Sequence, residues 1–265
     1  MIRDHAALYR KFIMKYAKAK LEYKIPLTLD IVANIVNSLS FVSVVYFLMN
    51  HFSTLDDWQL NEVMLMFGFG LLSWGLAGML FWAPVMQLEQ LIITGQFDHF
   101  LLKPLHPLLH LMFRHFQHTF LGQTLVGMGL LYYSLQHLSI WLTPSFILNG
   151  IYLLINSVLV QSAILIALSS LNFFVKKPLV FSMMVVVDLQ VISRYPVSIY
   201  HQGLQFIVSF VVPYIFVSYY PVVILTRGVN SEPLLWVTYV IGPMLVTLAC
   251  LLFNYGVKRY DGAGS

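Results

Sequence analysis

Four histidines near the middle of the chain have the spacing that most invites a chemical interpretation. They stand at His106, His110, His115 and His118, and intervals of four and three residues suit metal ligands on one face of a helix. Pro107 interrupts the first interval, and no acidic or thiolate side chain accompanies them. We therefore predict that these histidines hold no metal ion.

Motifs for catalysis and nucleotide binding are missing from the chain. It lacks GxxxxGK[ST], HExxH, GxSxG and Cys-x-x-Cys, and Gly127-Met-Gly129 lacks the third glycine of a dinucleotide fingerprint. The single Cys250 excludes an intramolecular disulfide and any multi-cysteine metal site. We expect a protein that is not catalytic by itself, binds no cofactor directly and has no motor of its own.

The composition indicates that these residues belong to a membrane protein. The chain is 59% hydrophobic and 10% charged, with a mean hydropathy of +0.78, whereas soluble domains carry about 25% charged residues. Its net charge of +4 comes from basic residues beside apolar segments. This distribution favours the lipid bilayer, with its anionic surface, over nucleic acid as the partner.

Six apolar stretches are long enough to cross a bilayer as helices, which takes about 20 residues each. They cover residues 26–49, 63–86, 116–137, 144–172, 178–199 and 234–257. With both termini in the cytosol, every lysine and arginine except Arg194 and Arg227 falls on the cytosolic side. That distribution agrees with the positive-inside rule.

A further apolar stretch, residues 201–227, could form a seventh span. Pro213 and Pro221 interrupt it, and each removes a backbone donor that a continuous helix needs. Broken backbone at membrane depth is tolerated where protein or a water-filled cavity covers it. We predict a re-entrant helical hairpin that enters from the extracytoplasmic side.

Polar residues recur inside the predicted spans, where uncompensated polarity is costly. Asp30, Asn34 and Asn37 form a stripe along the first span, and they are candidates for a translocation path or for hydrogen bonds between helices. Asp188 lies near the middle of the fifth span, so we expect it to be protonated or paired with another span. Arg194 lies six residues further on, about 120° around the helix, and is not its natural partner.

Small and amide side chains predict how the spans pack. Gly68, Gly75 and Gly78 in the second span allow close helix approach, and a dimer seam is one place for it. Asn149 and Asn156 repeat at seven residues in the fourth span. We expect them to form hydrogen bonds between helices.

Two segments of the predicted cytosolic face are amphipathic. A helical wheel of residues 5–23 has lysines on one side and aromatic and aliphatic residues on the other, which predicts that residues 1–25 form a helix lying in the membrane interface. Residues 87–107 are expected to form two short helices joined by a glycine. An ordinary connecting loop is the alternative interpretation of that second segment.

Residues 87–107 contain signals for each helix end. Gly95 suits a left-handed helix end, Asp98 suits the cap of the next turn, and Pro104 suits its end. Glu89, Asp98 and Lys103 are predicted to be exposed. The expected product is a rigid, charged projection between two spans.

The segment from Glu89 to Pro107 has the pattern E-x5-G-x2-D-x2-L-L-x-P-x2-P. It resembles the segment after the second span in type-2, exporter-type permeases of ATP-binding-cassette (ABC) transporters, above all the short bacterial branch with six spans. Weaker similarities follow in the same order as in that branch. They lie in Ala17–Lys24, Tyr195-Pro196, Tyr219-Tyr220-Pro221 and Lys258-Arg259-Tyr260.

The resemblance implies an all-α integral membrane protein in which one permease domain fills residues 1–265. A separate ATPase, present in two copies, would bind ATP and Mg²⁺. A second permease subunit, identical or different, would complete the path across the bacterial cytoplasmic membrane. The histidine-rich stretch 99–118 is not expected of the family.

The resemblance also implies roles for particular residues. Residues 88–103 would be a coupling helix that contacts the ATPase, and residues 203–226 would cap the outer gate. The implied ATPase-coupling residues are Glu89, Gly95, Asp98, Lys103 and Pro104. The implied outer-gate residues are Tyr195, Pro196, Pro213, Tyr219, Tyr220 and Pro221.

Two other functions stay open from the sequence. A membrane-embedded enzyme that modifies lipid could use the histidines or Asp188, and a proton-driven secondary transporter could use Asp188. Such transporters usually show several ionisable residues in their spans, which favours the exporter permease.

Overall fold

The computed structural model describes residues 24–51, 57–103, 105–114, 116–138, 143–175, 180–228 and 233–260. Within these ranges every regular element is a helix, as predicted. The interfacial helix predicted over residues 1–25 lies almost wholly outside the described residues, and so does Pro104.

Eleven α-helices follow one another in the described ranges. They are α1 (Lys24–His51), α2 (Leu60–Ile93), α3 (Asp98–Leu101), α4 (Pro107–Arg114), α5 (Leu121–His137), α6 (Pro144–Ser170), α7 (Val180–Ile192), α8 (Gln202–Phe206), α9 (Tyr219–Arg227), α10 (Pro233–Val237) and α11 (Ile241–Lys258). Turns of 3₁₀ helix lie at His118–Phe120, Leu171–Phe173, Val197–Ile199 and Tyr214–Phe216. A π-helical turn, Ile207–Val211, extends α8.

Four helical segments of the described chain are long and apolar enough to cross a membrane. They are α1 from Ile25, α2, α6 with its 3₁₀ end, and α11. The third and fifth predicted spans contain α5 and α7, which have 17 and 13 residues. The count of six spans therefore stays a prediction.

Helix α2 is the centre of the bundle and packs against both α5 and α6. It is almost fully buried and apolar on every side, as expected of a helix surrounded by other helices. α6 also packs against α11, and α1 lies on the outside against α5. Most of α1 is exposed in the single chain, so its apolar side chains face lipid or another subunit.

The predicted glycine seam of the second span is filled from within the same chain. A Cβ atom at Gly68 would meet Leu131, one at Gly75 would meet Thr124, and one at Gly78 would meet Phe120, all on α5 or the turn before it. From the other side, a Cβ atom at Gly127 would come within 2.6 Å of the α2 backbone. The seam is an internal helix contact and not a dimer interface.

The last predicted span, residues 234–257, is interrupted by a turn over residues 238–240 between α10 and α11. Pro243 has no N–H to donate to the carbonyl of Tyr239 four residues earlier, and the Tyr152 hydroxyl donates to that carbonyl instead, at 2.6 Å. Asn156 donates to the carbonyl of Thr238 and accepts from the N–H of Gly242. The predicted hydrogen bonding of Asn156 between helices is confirmed, and it holds the broken span together.

Candidate functional site

Residues 87–114 form a bend that we call the elbow. α2 continues without a break to Ile93, so Glu89 lies on its last turns and not on a separate short helix. Gly95 follows with φ 70°, the left-handed conformation predicted for it. Phe97 holds the N-cap position of α3, so the prediction that Asp98 caps this helix is wrong.

Phe97 attaches the elbow to the ends of two other helices. Its side chain is 0% exposed. Its ring centroid lies 5.4 Å from that of Phe173, after α6, and 5.1 Å from that of Tyr260, after α11. Both pairs are edge to face, an arrangement that stabilises by about 0.5–1.5 kcal/mol beyond area burial. The elbow is therefore joined to both helices.

Helix α4 packs back onto α3 through Phe100. The His110 ring lies 4.6 Å from the Phe100 ring, and the Arg114 guanidinium lies 5.4 Å from the same ring, within range of a cation–π interaction. Burial, with smaller effects from the charges of Lys103 and Arg114, lowers the pKa of His110 from its ordinary value. This imidazole is therefore neutral near pH 7.

The exposed side of the elbow is more apolar than the sequence indicates. Leu102 is 82% exposed, and Leu101 and Lys103 beside it are also exposed. Glu89 and Asp98, which were predicted to be exposed, are half-buried. Sequence reasoning missed the leucines, although two adjacent leucines in a polar turn are a visible signal.

The histidines of this region have separate contacts. His106 Nε2 lies 2.7 Å from Asn254 Oδ1 on α11, and His118 Nε2 lies 3.7 Å from Asp30 Oδ2 on α1. His115 lies outside the described residues. Among the residues that are described, no three His, Cys, Asp or Glu side chains are grouped to hold a metal ion.

The polar stripe of α1 is divided between two environments. Asn34 donates to the carbonyl of Asp30 at 3.1 Å and packs against Gly122 at the start of α5. The Asp30 carboxylate reaches His118, whereas Asn37 is exposed. The first two residues lie near the α1–α5 contact, and the third faces outward in the single chain.

Asp188 and Arg194 form no ion pair, as predicted, and they lie in opposite environments. Asp188 is exposed on α7. Arg194 follows the end of α7 and is 5% exposed, with Nη2 donating to Gln190 Oε1 at 2.7 Å. Among the described residues, no acidic side chain lies within 4.0 Å of its guanidinium.

The predicted hairpin over residues 201–227 has two helical arms. The first is α8 with its π-helical extension, and it ends at Val211, just before Pro213. The second arm is α9, and Pro221 lies in its first turn, where a missing N–H costs no helical hydrogen bond. The chain breaks at Pro213 as predicted, but Pro221 does not interrupt an arm.

The predicted outer-gate residues lie in the hairpin or shortly before it, and they do not form one cluster. The Tyr219 ring lies 5.5 Å from Trp58 and 5.5 Å from Tyr220. Tyr195 instead packs edge to face on Phe67 of α2, at 5.1 Å. The tyrosines therefore hold different parts of the hairpin region against the bundle.

Side-chain hydroxyls of the hairpin and of the residue before it donate hydrogen bonds to backbone carbonyls at the end of α7. The Ser218 hydroxyl donates to the carbonyl of Ser193 at 2.5 Å, and the Tyr200 hydroxyl donates to that of Ile192 at 3.1 Å. Pro196 is buried at the start of the 3₁₀ turn that connects the two elements. The hairpin and the fifth predicted span are thus directly linked.

A contact that sequence reasoning missed ties the second arm to the start of α2. The Arg227 guanidinium lies 3.8 Å from the ring centroid of Trp58, which is 2% exposed, and Arg227 Nε lies 3.5 Å from Glu62 Oε1. Arg227 is one of the two basic residues that the predicted topology does not place on the cytosolic side, and that was the available signal.

Two of the cavities formed by the described residues lie along the hairpin. One, of about 650 Å³, has polar lining that includes Gln202, Gln205, Ser209 and Arg227. The other, of about 400 Å³, lies between α6, α7, α11 and the hairpin break, and its lining is apolar throughout. We call them the polar vestibule and the apolar groove.

Apolar helices long enough to span a bilayer define an integral membrane protein. Residues 33–264 match the model of a family described as ABC-2 family transporter protein. The chain belongs to this family, and the predicted resemblance is confirmed. It is a membrane-embedded transport permease. A search of the curated proteins and a search of the solved structures each gave no significant match.

Proposed function

We propose that the protein is the permease subunit of an ATP-driven exporter, working with a separate ABC ATPase present in two copies and with a second permease subunit. ATP and Mg²⁺ bind to the ATPase. The protein has six spans in the bacterial cytoplasmic membrane, with both termini and the elbow in the cytosol. The observation that carries the proposal is the attachment of the elbow to α6 and α11 through Phe97.

The length of α2 supports this role for the elbow. Its 34 residues span about 51 Å at 1.5 Å per residue, whereas the hydrocarbon core is about 30 Å thick. The last turns of α2, with Glu89, therefore project beyond the bilayer. A displacement of these last turns is transmitted to the whole bundle because α2 is its central helix.

The exposed face of the elbow is suited to a protein partner. Leu102 and Leu101 offer apolar contact, while His99 and Lys103 beside them are exposed and polar. Apolar side chains at the centre of a polar rim are the usual composition of an interface. We assign Leu102 to a cleft of the ATPase, with Glu89 and Asp98 at the margin.

The hairpin is assigned to the outer gate. The ion pair between Arg227 of the hairpin and Glu62 of α2 is partly exposed. Exposed ion pairs contribute only about 0–1 kcal/mol. Such a weak ion pair stabilises the closed state of the gate without preventing the gate from opening. The polar vestibule then lies on the outward side of the gate.

A second permease subunit explains the surface of the single chain. Asp188 is exposed on α7, and a charge facing lipid near the bilayer centre costs at least about 2.5 kcal/mol. The exposed apolar side of α1, with Asn37, needs cover as well. A second subunit can cover both and complete a path lined by Asp30, Asn34, Asn37 and Asp188.

Co-purification tests the proposal. The permease is co-expressed with the ABC ATPase encoded beside it, as wild type and as Glu89→Lys, Asp98→Lys and Leu102→Asp. We expect the ATPase to co-purify with the wild-type permease and the charge reversals to weaken its binding. Leu102→Asp is expected to abolish binding, because a buried unpaired carboxylate is strongly unfavourable at an interface.

Ile199→Asp is the matched control, because Ile199 is an exposed aliphatic residue beside the hairpin. This control is expected to retain the ATPase. Equal recovery of the ATPase with all elbow variants, or no recovery with the wild type, would overturn the proposal.

A further inference from the structure

Arg194 is a buried cation that the proposed coupling and gating do not use. Its side chain packs on α2 at Gly70, where an added Cβ atom would come within 2.8 Å of Arg194 Cγ. Gly70 lies ten residues from the start of α2, about 15 Å along the helix. Since the predicted span begins at residue 63, the Arg194 side chain lies inside the bundle, in the outer half of a core about 30 Å thick.

The surroundings of Arg194 contain more donors than acceptors. Nη2 is satisfied by Gln190 Oε1, but Arg194 Nε, Gln190 Nε2 and the Tyr214 hydroxyl have no hydrogen-bond partner within the described ranges. Tyr214 is fully buried and lies within electrostatic reach of Arg194. A buried arginine without an anion is strongly unfavourable, so the arrangement calls for an acceptor with negative charge.

The apolar groove begins next to this cluster. Pro213 lines the groove and precedes Tyr214, and Val186 lines it one helical turn before Gln190. From there the groove continues along α6 and α11 past Ala167 and Leu248, and its lining has no charged residue. Its volume of about 400 Å³ is in the range of a small-ligand site.

We propose that Arg194 and the apolar groove form a binding site for an anionic amphiphile, which on the proposed exporter function is the class of the cargo. The anionic headgroup pairs with the guanidinium when movement of the hairpin carries Tyr214 away from Arg194, and the acyl chain occupies the groove. With the elbow in the cytosol, the head lies outward of the tail. This is the orientation of a lipid in the outer leaflet, ready for release.

Binding of two lysolipids to the purified full-length permease tests the site. 1-Oleoyl lysophosphatidic acid and 1-oleoyl lysophosphatidylcholine share one acyl chain and differ in headgroup charge. We expect the wild type to bind the anionic lipid at least about tenfold more tightly, since hydrogen bonds between charged groups are the strong ones. The readout is the dependence of Tm on lipid concentration.

Three variants separate headgroup from tail. Arg194→Met is expected to lose the preference for the anionic lipid, and Arg194→Lys is expected to keep it. Ala167→Phe, which fills the groove, is expected to weaken both lipids alike. Lys258→Gln removes an exposed cation at the far end of α11 and is expected to leave both affinities unchanged.

The Tm without lipid distinguishes this site from a purely structural arginine. A buried charge without a counter-ion is costly, and an apolar side chain of similar volume avoids that cost, so we expect the Tm of Arg194→Met to equal or exceed that of the wild type. A lower Tm, a failure to fold, or an unchanged preference for the anionic lipid in Arg194→Met would overturn the proposal. So would equal binding of the two lipids by the wild type.

The assay contains no ATPase, so its outcome is independent of the exporter proposal. Absence of a headgroup preference would overturn the proposed ligand class and would not affect the proposed coupling to the ATPase. If the ATPase fails to co-purify but the lipid preference is present, the proposed exporter function would be overturned and the proposed binding site would stand.

Discussion

Phe97 and Leu102 are close in sequence and have opposite environments. Phe97 is fully buried among the rings of Phe173 and Tyr260, whereas Leu102 is the most exposed large apolar side chain of the elbow. The first residue holds the elbow on the bundle, and the second is available to a partner. Their substitutions should therefore separate folding from docking.

Phe97→Ala is expected to destabilise the permease by about 3–5 kcal/mol, because it leaves a cavity where three aromatic rings meet. Leu102→Ala is expected to leave stability nearly unchanged and to weaken ATPase binding. Thermal unfolding of the two purified variants gives the comparison. Equal losses of stability would contradict the assignment of Leu102 to a docking surface.

His110 makes the elbow sensitive to pH. Its folded-state pKa is lowered by burial and by the charges of Lys103 and Arg114, while its unfolded value is about 6.5. Stability is therefore fully present above about pH 6.5 and is lost as the pH falls toward the folded-state pKa. Hydrogen exchange in residues 97–112, corrected for intrinsic rates, should increase between pH 7.5 and pH 5.5.

A matched pair of variants tests whether His110 is the group responsible. His110→Phe keeps the aromatic contact with Phe100 and should abolish the pH-dependent increase in exchange. His99→Gln, at an exposed histidine of the same elbow, should retain it. Persistence of the increase in His110→Phe would assign it to another group.

At the level of elements, the carboxamide of Asn156 bridges the break between α10 and α11. A Cβ atom at Gly242 would collide with the carboxamide of Asn156, which bridges the break. Gly242→Ala should destabilise the protein by about 1–3 kcal/mol through overpacking. Gly129→Ala, on α5 with open space around its Cβ position, should stabilise it by about 0.5–1 kcal/mol.

Thermal or denaturant unfolding of both glycine variants measures this difference. An unchanged stability for Gly242→Ala would mean that Asn156 moves away at little cost. The hydrogen bonds across the break would then contribute little to the fold.

The sequence predicted the helical class, a helix within every proposed span, the left-handed Gly95 and the break at Pro213. It did not predict that α2 runs on to Ile93, because an amphipathic end can continue a helix beyond the apolar stretch. It also missed the break in the last span. Pro243 was visible, but only the fold shows that Tyr152 and Asn156 satisfy the backbone groups that the break releases.

The candidate site was less predictable than the fold. Residue types and spacing predicted the conformation of Gly95, and the family resemblance supplied the proline motifs, but exposure depends on packing between distant segments. The half-burial of Glu89 and the burial of Arg194 both come from contacts that sequence spacing does not encode.

For the whole molecule, a substitution at the exposed Asp188 distinguishes an ATP-driven permease from a proton-driven transporter. In the proposed exporter, Asp188 is covered by a second subunit or protonated, so Asp188→Asn should leave ATP hydrolysis by the reconstituted complex unchanged. Uptake of labelled lysophosphatidic acid into ATP-depleted vesicles, driven by a proton gradient and abolished by Asp188→Asn, would favour a secondary transporter instead.

Transmission of ATPase motion to the bundle requires that the elbow contacts the ATPase, and site-specific photocrosslinking measures this contact. Cys250 is the only cysteine, so Leu102→Cys and Ile199→Cys can each be built on a Cys250→Ser background and labelled with benzophenone maleimide. We expect the ATPase to crosslink to position 102 and not to position 199, and we expect ATP to change the yield at position 102. Crosslinking that is absent at position 102, or equal at the two positions, would contradict the proposed contact.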